Sequence, residues 1–82
     1  MSARERLAAF LLDLSRRYQL RGYSSTEFVL RLTRHEIGSY LGLTLETVSR
    51  LFAQFQLHGL LQVIGRSVQL LDVPALRQIL GQ

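Results

Sequence analysis

The sequence predicts a mainly α fold with a small β-sheet, and three observations carry that prediction. Apolar residues recur at helical spacing in three stretches, Leu7 to Tyr18, Ile37 to Leu41 and Val48 to Phe55. The second and third stretches are joined only by Gly42-Leu43-Thr44, too short for anything but a tight turn between helices. Two β-prone runs, Leu61–Ile64 and Ser67–Leu71, flank Gly65-Arg66, a two-residue link with glycine first, which signals a hairpin.

Each element follows in order. Leu7, Leu11, Leu14 and Tyr18 mark one stripe of a first helix over residues 2–20, with arginines on its flanks and Gly22 beyond its end. Gly22-Tyr23-Ser24-Ser25-Thr26-Glu27 is polar and turn-like, without an evident core role. Phe28-Val29-Leu30-Arg31-Leu32 is β-prone and reads as a short strand. Thr33-Arg34-His35-Glu36 fits a capping box that opens a second helix, which ends at Gly42. Thr44 is an N-cap for a third helix from Leu45 to His58, stopped at Gly59. After the hairpin, Asp72 and Pro74 open a last short helix carrying Leu76, Ile79 and Leu80. Helix, strand, helix, helix, hairpin, helix is the order of a winged helix-turn-helix.

The chain has 82 residues, enough for one domain with one modest core. At 48% apolar it is too hydrophobic for a disordered tail. The longest apolar run, Leu7 to Leu12, is far short of the about twenty residues a membrane span needs. The first residues lack a signal peptide's apolar stretch, and a cytoplasmic location is expected. Without cysteine, disulfides and thiolate chemistry are excluded. The net charge is +4 and every basic residue is an arginine, the side chain whose fork suits phosphate and guanine. Charge does not locate a surface, however. Residues 1–21 carry five arginines against two acids, while residues 33–59 carry two of each.

The pattern does locate one. Ile37, Leu41, Val48 and Leu51 are apolar where the second and third helices must face each other. Leu43 fills the turn, and Gly38 is small where the two helices cross. At about 100° per residue, Val48, Leu51, Phe52 and Phe55 fall on one side of the third helix, and Glu46, Ser49, Arg50 and Ala53 on the other. A recognition helix presents such a face to the major groove, first turns nearest the bases. There Arg50 can donate two bonds to guanine O6 and N7, Glu46 can accept from a cytosine N4 amine, and Ser49 can reach a base or a phosphate.

The run Leu41-Gly42-Leu43-Thr44-Leu45-Glu46-Thr47-Val48-Ser49-Arg50-Leu51 resembles the DNA-reading motif of the CRP/FNR family of bacterial regulators. The opening Ala3 to Ala8, Leu32-Thr33-Arg34 and Gly59-Leu60 fit as well, so the resemblance spans the chain. Glu46, Ser49 and Arg50 are similar to the FNR branch, whereas the catabolite-activator branch has an arginine where this chain has Leu45. The resemblance implies double-stranded DNA as partner, a TTGAT-type half-site as target, and a homodimeric parent. It also implies a sensor β-barrel and a dimerisation helix, neither of which fits in this length. Through exposed loops the family also touches RNA polymerase, which makes Gly22 to Glu27 a candidate for that contact.

Blander readings stand beside these. Glu46 near a helix start also favours the helix dipole, worth about 0.3–1 kcal/mol whatever it touches. Thr33, Arg34, Thr44 and Thr47 stand at helix starts, where phosphate is readily held, but threonines there are also plain caps. Arg66 at the hairpin tip is a wing contact or a soluble turn residue. The first helix's arginines read as a solvated face, and His35 and His58 as surface histidines too far apart for zinc. No phosphate loop, paired carboxylates or oriented Ser–His pair is present, so no enzyme activity, metal or cofactor is expected. The rival is a winged helix used for protein–protein contact, which would expose apolar residues on the third helix's outer face.

Overall fold

The computed structural model describes residues 1–82. Helix α1 (Ala3–Leu20) is opened by a reciprocal capping box. The Ser2 hydroxyl accepts the Glu5 amide at 3.1 Å, and the Glu5 carboxylate accepts the Ser2 amide at 2.9 Å. Two amides that the helix leaves without partners are thereby satisfied. Leu7, Ala8, Phe10, Leu11 and Ser15 are buried, a broader side than the predicted stripe, while Leu14 and Tyr18 are only half-buried. The cause is that α1 is covered chiefly by α3 (Leu45–Leu57) and α4 (Val73–Ile79) together, rather than by a single neighbour.

The sheet is antiparallel, with strands β1 (Glu27–Val29), β2 (Leu61–Ile64) and β3 (Ser67–Leu70) in the order β1-β3-β2. Phe28 and Val63 both stand opposite Val68, and Leu61 stands opposite Leu70, so these five side chains share the core face. The first strand is shorter than predicted and begins one residue earlier. Its last residue, Val29, pairs with Ser67, where β3 begins, so the ladder has no further partner to offer. One more bond, Leu30 amide to Arg66 carbonyl at 2.7 Å, holds the chain against the hairpin before it leaves. Leu71 also lies outside its predicted strand, because its amide turns to the Leu60 carbonyl at 2.9 Å as the chain swings into α4. There Asp72 caps the helix by accepting the Ala75 amide at 3.0 Å, with Pro74 in the first turn.

Helix α2 (Arg34–Leu41) ends at Gly42 in the left-handed conformation, φ 73°, and α3 follows after two residues. A side chain would be strained at that φ, which is why glycine closes the helix. Ile37 and Val48 are fully buried between the two helices, and Phe55 and Leu76 carry the core on towards α4. Gly38 is required for a different reason from the one the sequence suggests. A Cβ there would come within 2.5 Å of the Leu43 carbonyl oxygen, whose own amide donates to Gly38 at 2.8 Å. It is the backbone of the turn, not the crossing of α3, that leaves no room.

Candidate nucleic-acid interface

The two sides of α3 separate as its periodicity predicts. Val48, Leu51, Phe52 and Phe55 are buried, and Glu46, Ser49, Arg50 and Ala53 are exposed. Neither Glu46 nor Arg50 is tied up in an ion pair, since the protein's one salt bridge joins Arg17 to Asp13 at 3.0 Å. Over Glu46 to Ala53 the outer side has no large apolar group. Leu57, 83% exposed, returns to the same side at the far end, about 16 Å along the axis from Glu46. The expected polar face therefore runs from Glu46 to Ala53, with Leu45, 43% exposed, before it and Leu57 beyond it.

Thr44 caps α3. Its oxygen accepts the Thr47 amide at 3.1 Å, and its hydroxyl donates to the Thr47 oxygen at 2.9 Å. A hydroxyl has one proton to give, so Thr44 is committed within the protein while Thr47 keeps its own proton for an outside acceptor. Thr33 closes α2 likewise, accepting the Glu36 amide at 3.1 Å, with the Glu36 carboxylate accepting the Thr33 amide at 2.9 Å. These bonds to the Thr33 amide and side chain hold the Glu36 carboxyl below its ordinary pKa, and the positive charges of His35 and Arg66 add to the effect. The Leu30 amide, donating to the Arg66 carbonyl at 2.7 Å, brings the hairpin tip to the segment that leads into α2. His35 is exposed in the first turn of α2, as read from the sequence.

Not every arginine belongs to a solvated face. The guanidinium of Arg4 lies 5.4 Å from the Phe55 ring, and Arg6 donates to the Leu41 carbonyl at 3.2 Å, closing the end of α2. Arg34 lies 3.9 Å over Phe52. The polar segment after α1 is likewise less free than its composition suggests. Ser15 donates to the Ser25 carbonyl, Ser24 accepts the amides of Thr26 and Glu27, and Tyr18 stacks on Phe28 with centroids 5.2 Å apart. Glu27 belongs to β1 rather than to the loop. Gln56 of α3 accepts the Val63 amide at 3.2 Å, which ties the wing to the helix. Sequence spacing gave no sign of that bond.

Residues 5–79 match the Crp-like helix-turn-helix domain family. The chain belongs to that family. It is 62% identical, over its whole length, to 34% of the transcriptional regulatory protein btr of Bordetella pertussis. It is 51% identical over 98% of its length to 32% of the fumarate and nitrate reduction regulatory protein of Escherichia coli K12. Among solved structures, FixK2 from Bradyrhizobium japonicum matches with a TM-score of 0.83 and 40% identity, covering 94% of this chain and 37% of that one. The catabolite activator protein of Thermus thermophilus matches at 0.72 and 30%, covering 94% and 33%. The chain thus spans about a third of the length of the curated relatives it matches. It is a DNA-binding helix-turn-helix domain of the CRP/FNR type, and its relatives are regulators by name, not enzymes, as the sequence predicts. No helix in it is long and apolar enough to cross a membrane.

Proposed function

We propose that this domain is the output module of a longer, homodimeric, cytoplasmic bacterial regulator, and that α3 reads a TTGAT-like half-site in the major groove. The observation that carries the reading is the exposure of Glu46, Ser49 and Arg50 on the early turns of α3, opposite the buried Val48, Leu51, Phe52 and Phe55. Arg50 donates to guanine O6 and N7, Glu46 accepts from a cytosine N4 amine, and Ser49 contacts a neighbouring base or phosphate. Arg34, Thr47 and Arg66 meet phosphates, and Thr33 and Thr44 bring helix-start amides to the same backbone. In the parent, the anchored segment from Gly22 to Glu27, a loop that ends on the first residue of β1, is the surface offered to RNA polymerase.

Binding of the chain to a TTGAT palindrome and to a scrambled duplex, at two salt concentrations, tests this. The expected result is weak half-site binding that falls steeply with salt and prefers the palindrome modestly. Arg50→Ala should cost about 1–3 kcal/mol on the specific duplex by removing a bidentate contact. Equal affinity of the unchanged protein for the two duplexes would show that α3 does not read this site. Alanine changes in the loop, tested in a longer parent, should reduce activation while leaving DNA affinity intact.

A further inference from the structure

Arg34 is the first residue of α2, and its guanidinium lies over the ring of Phe52 at 3.9 Å. Phe52 is a core residue, 1% exposed, two positions beyond Arg50 on the recognition helix. Arg34 itself is only partly exposed, and desolvation lowers its pKa with no neighbouring carboxylate acting against that. The one ion pair in the protein lies elsewhere, between Arg17 and Asp13. A partly desolvated cation without an anion is unfavourable, and the negative face of an aromatic ring offsets only part of the cost. An anion from outside would offset more of it. The guanidinium carbon lies over the ring and the fork makes no hydrogen bond within the protein, so its donors are available to grip a phosphate with two parallel bonds.

We propose that Arg34 is a positioning residue for base readout: its edge holds a DNA phosphate while its face holds Phe52, fixing the rotation of α3 that aims Glu46, Ser49 and Arg50. This rests on the DNA reading above and adds to it a residue that touches no base yet raises discrimination between bases. A phosphate contact on a flexible side chain strengthens binding to every duplex alike. A phosphate contact braced against the recognition helix does more, because a bidentate base contact is lost when the helix turns by a fraction of a residue step.

Two variants separate these cases. Arg34→Lys keeps the charge but loses the planar fork, and Phe52→Leu keeps an apolar side chain but loses the ring face. Affinities for the TTGAT duplex and for a scrambled duplex are measured at one salt concentration, with folding checked by circular dichroism. Each variant should lower the specific-to-scrambled ratio by roughly three- to tenfold, Arg34→Lys with a smaller loss on the scrambled duplex as well because its phosphate contact is weakened, and the double variant's ratio should fall no further than that of the worse single one. Arg34→Lys, which removes no residue of the buried core, decides the matter if Phe52→Leu unfolds. A wild-type ratio in Arg34→Lys, or an equal loss on both duplexes, makes Arg34 an independent phosphate contact and overturns the proposal while the DNA reading stands. An unchanged protein that does not prefer the TTGAT duplex overturns both.

Discussion

In the helix-turn-helix, residues 33–57, both helix starts are closed by a side chain three positions away: Thr33 with Glu36 and Thr44 with Thr47. In the segment that leads into it, residues 21–32, Ser24 bonds locally to Thr26 and Glu27, but other partners are distant. The Ser25 carbonyl is held by Ser15, the Thr26 carbonyl accepts from Leu70, and the Leu30 amide donates to Arg66. The first region specifies its geometry through its own neighbours. The second is shaped by the elements on either side of it. A reading helix benefits from the first arrangement, since its aim then depends little on distant movements, whereas a connecting segment can follow the rest of the fold.

Gly38→Ala should break the first region most severely. The new methyl meets backbone rather than a side chain that can swing away, so the turn must open, at a cost of about 1–3 kcal/mol. Chemical denaturation checks the stability, and DNA affinity should fall beyond what the unfolded fraction accounts for, because the turn sets the angle of α3.

Ser15→Ala tests the second region and should do less. It removes one buried hydrogen bond to the loop, worth about 1 kcal/mol, and leaves the Ser25 carbonyl near solvent. Amide exchange should quicken across residues 22–27 while residues 33–57 stay protected. Equal quickening in both would mean that the two regions are not independent.

Acid should act through the local caps. Glu5 and Glu36 both lie below their ordinary pKa of 4.5, chiefly through backbone hydrogen bonds from Ser2 and Thr33. A carboxyl whose folded pKa is depressed contributes stability that is full above its unfolded value and is lost as pH falls through the folded one. Thermal midpoints should therefore hold from neutrality down to about pH 5 and decline below the ordinary carboxylate value. The decline should be shallower in the Glu5→Gln/Glu36→Gln double variant, where glutamine preserves the capping box without the charge.

The same contrast explains what was legible in the sequence. The box at Thr33, the glycine at 42, the cap at Thr44 and the two sides of α3 are written in residues a few positions apart, and spacing reads them directly. The Ser2–Glu5 box was equally local and was available to the same reading. The ends of β1 were not legible, because they depend on where β3 begins, forty residues downstream of Phe28 in register with Val68. Nor were the roles of Arg4, Arg6 and Arg34, since each meets a group on another helix. In the candidate interface, exposure followed from period alone, but the bond that brings the hairpin tip to Leu30, shortly before α2, needed the sheet.

The most direct test of the account lies in Glu46, because a carboxylate beside DNA repels phosphate and helps only where it accepts a hydrogen bond from a base. Affinities of Glu46→Ala for the TTGAT and scrambled duplexes are to be compared with those of the unchanged protein. The account predicts weaker binding to the TTGAT duplex together with unchanged or slightly stronger binding to the scrambled one, so that the ratio falls. A ratio equal to that of the unchanged protein would make Glu46 a helix-dipole residue and contradict the claim that this side of α3 reads bases.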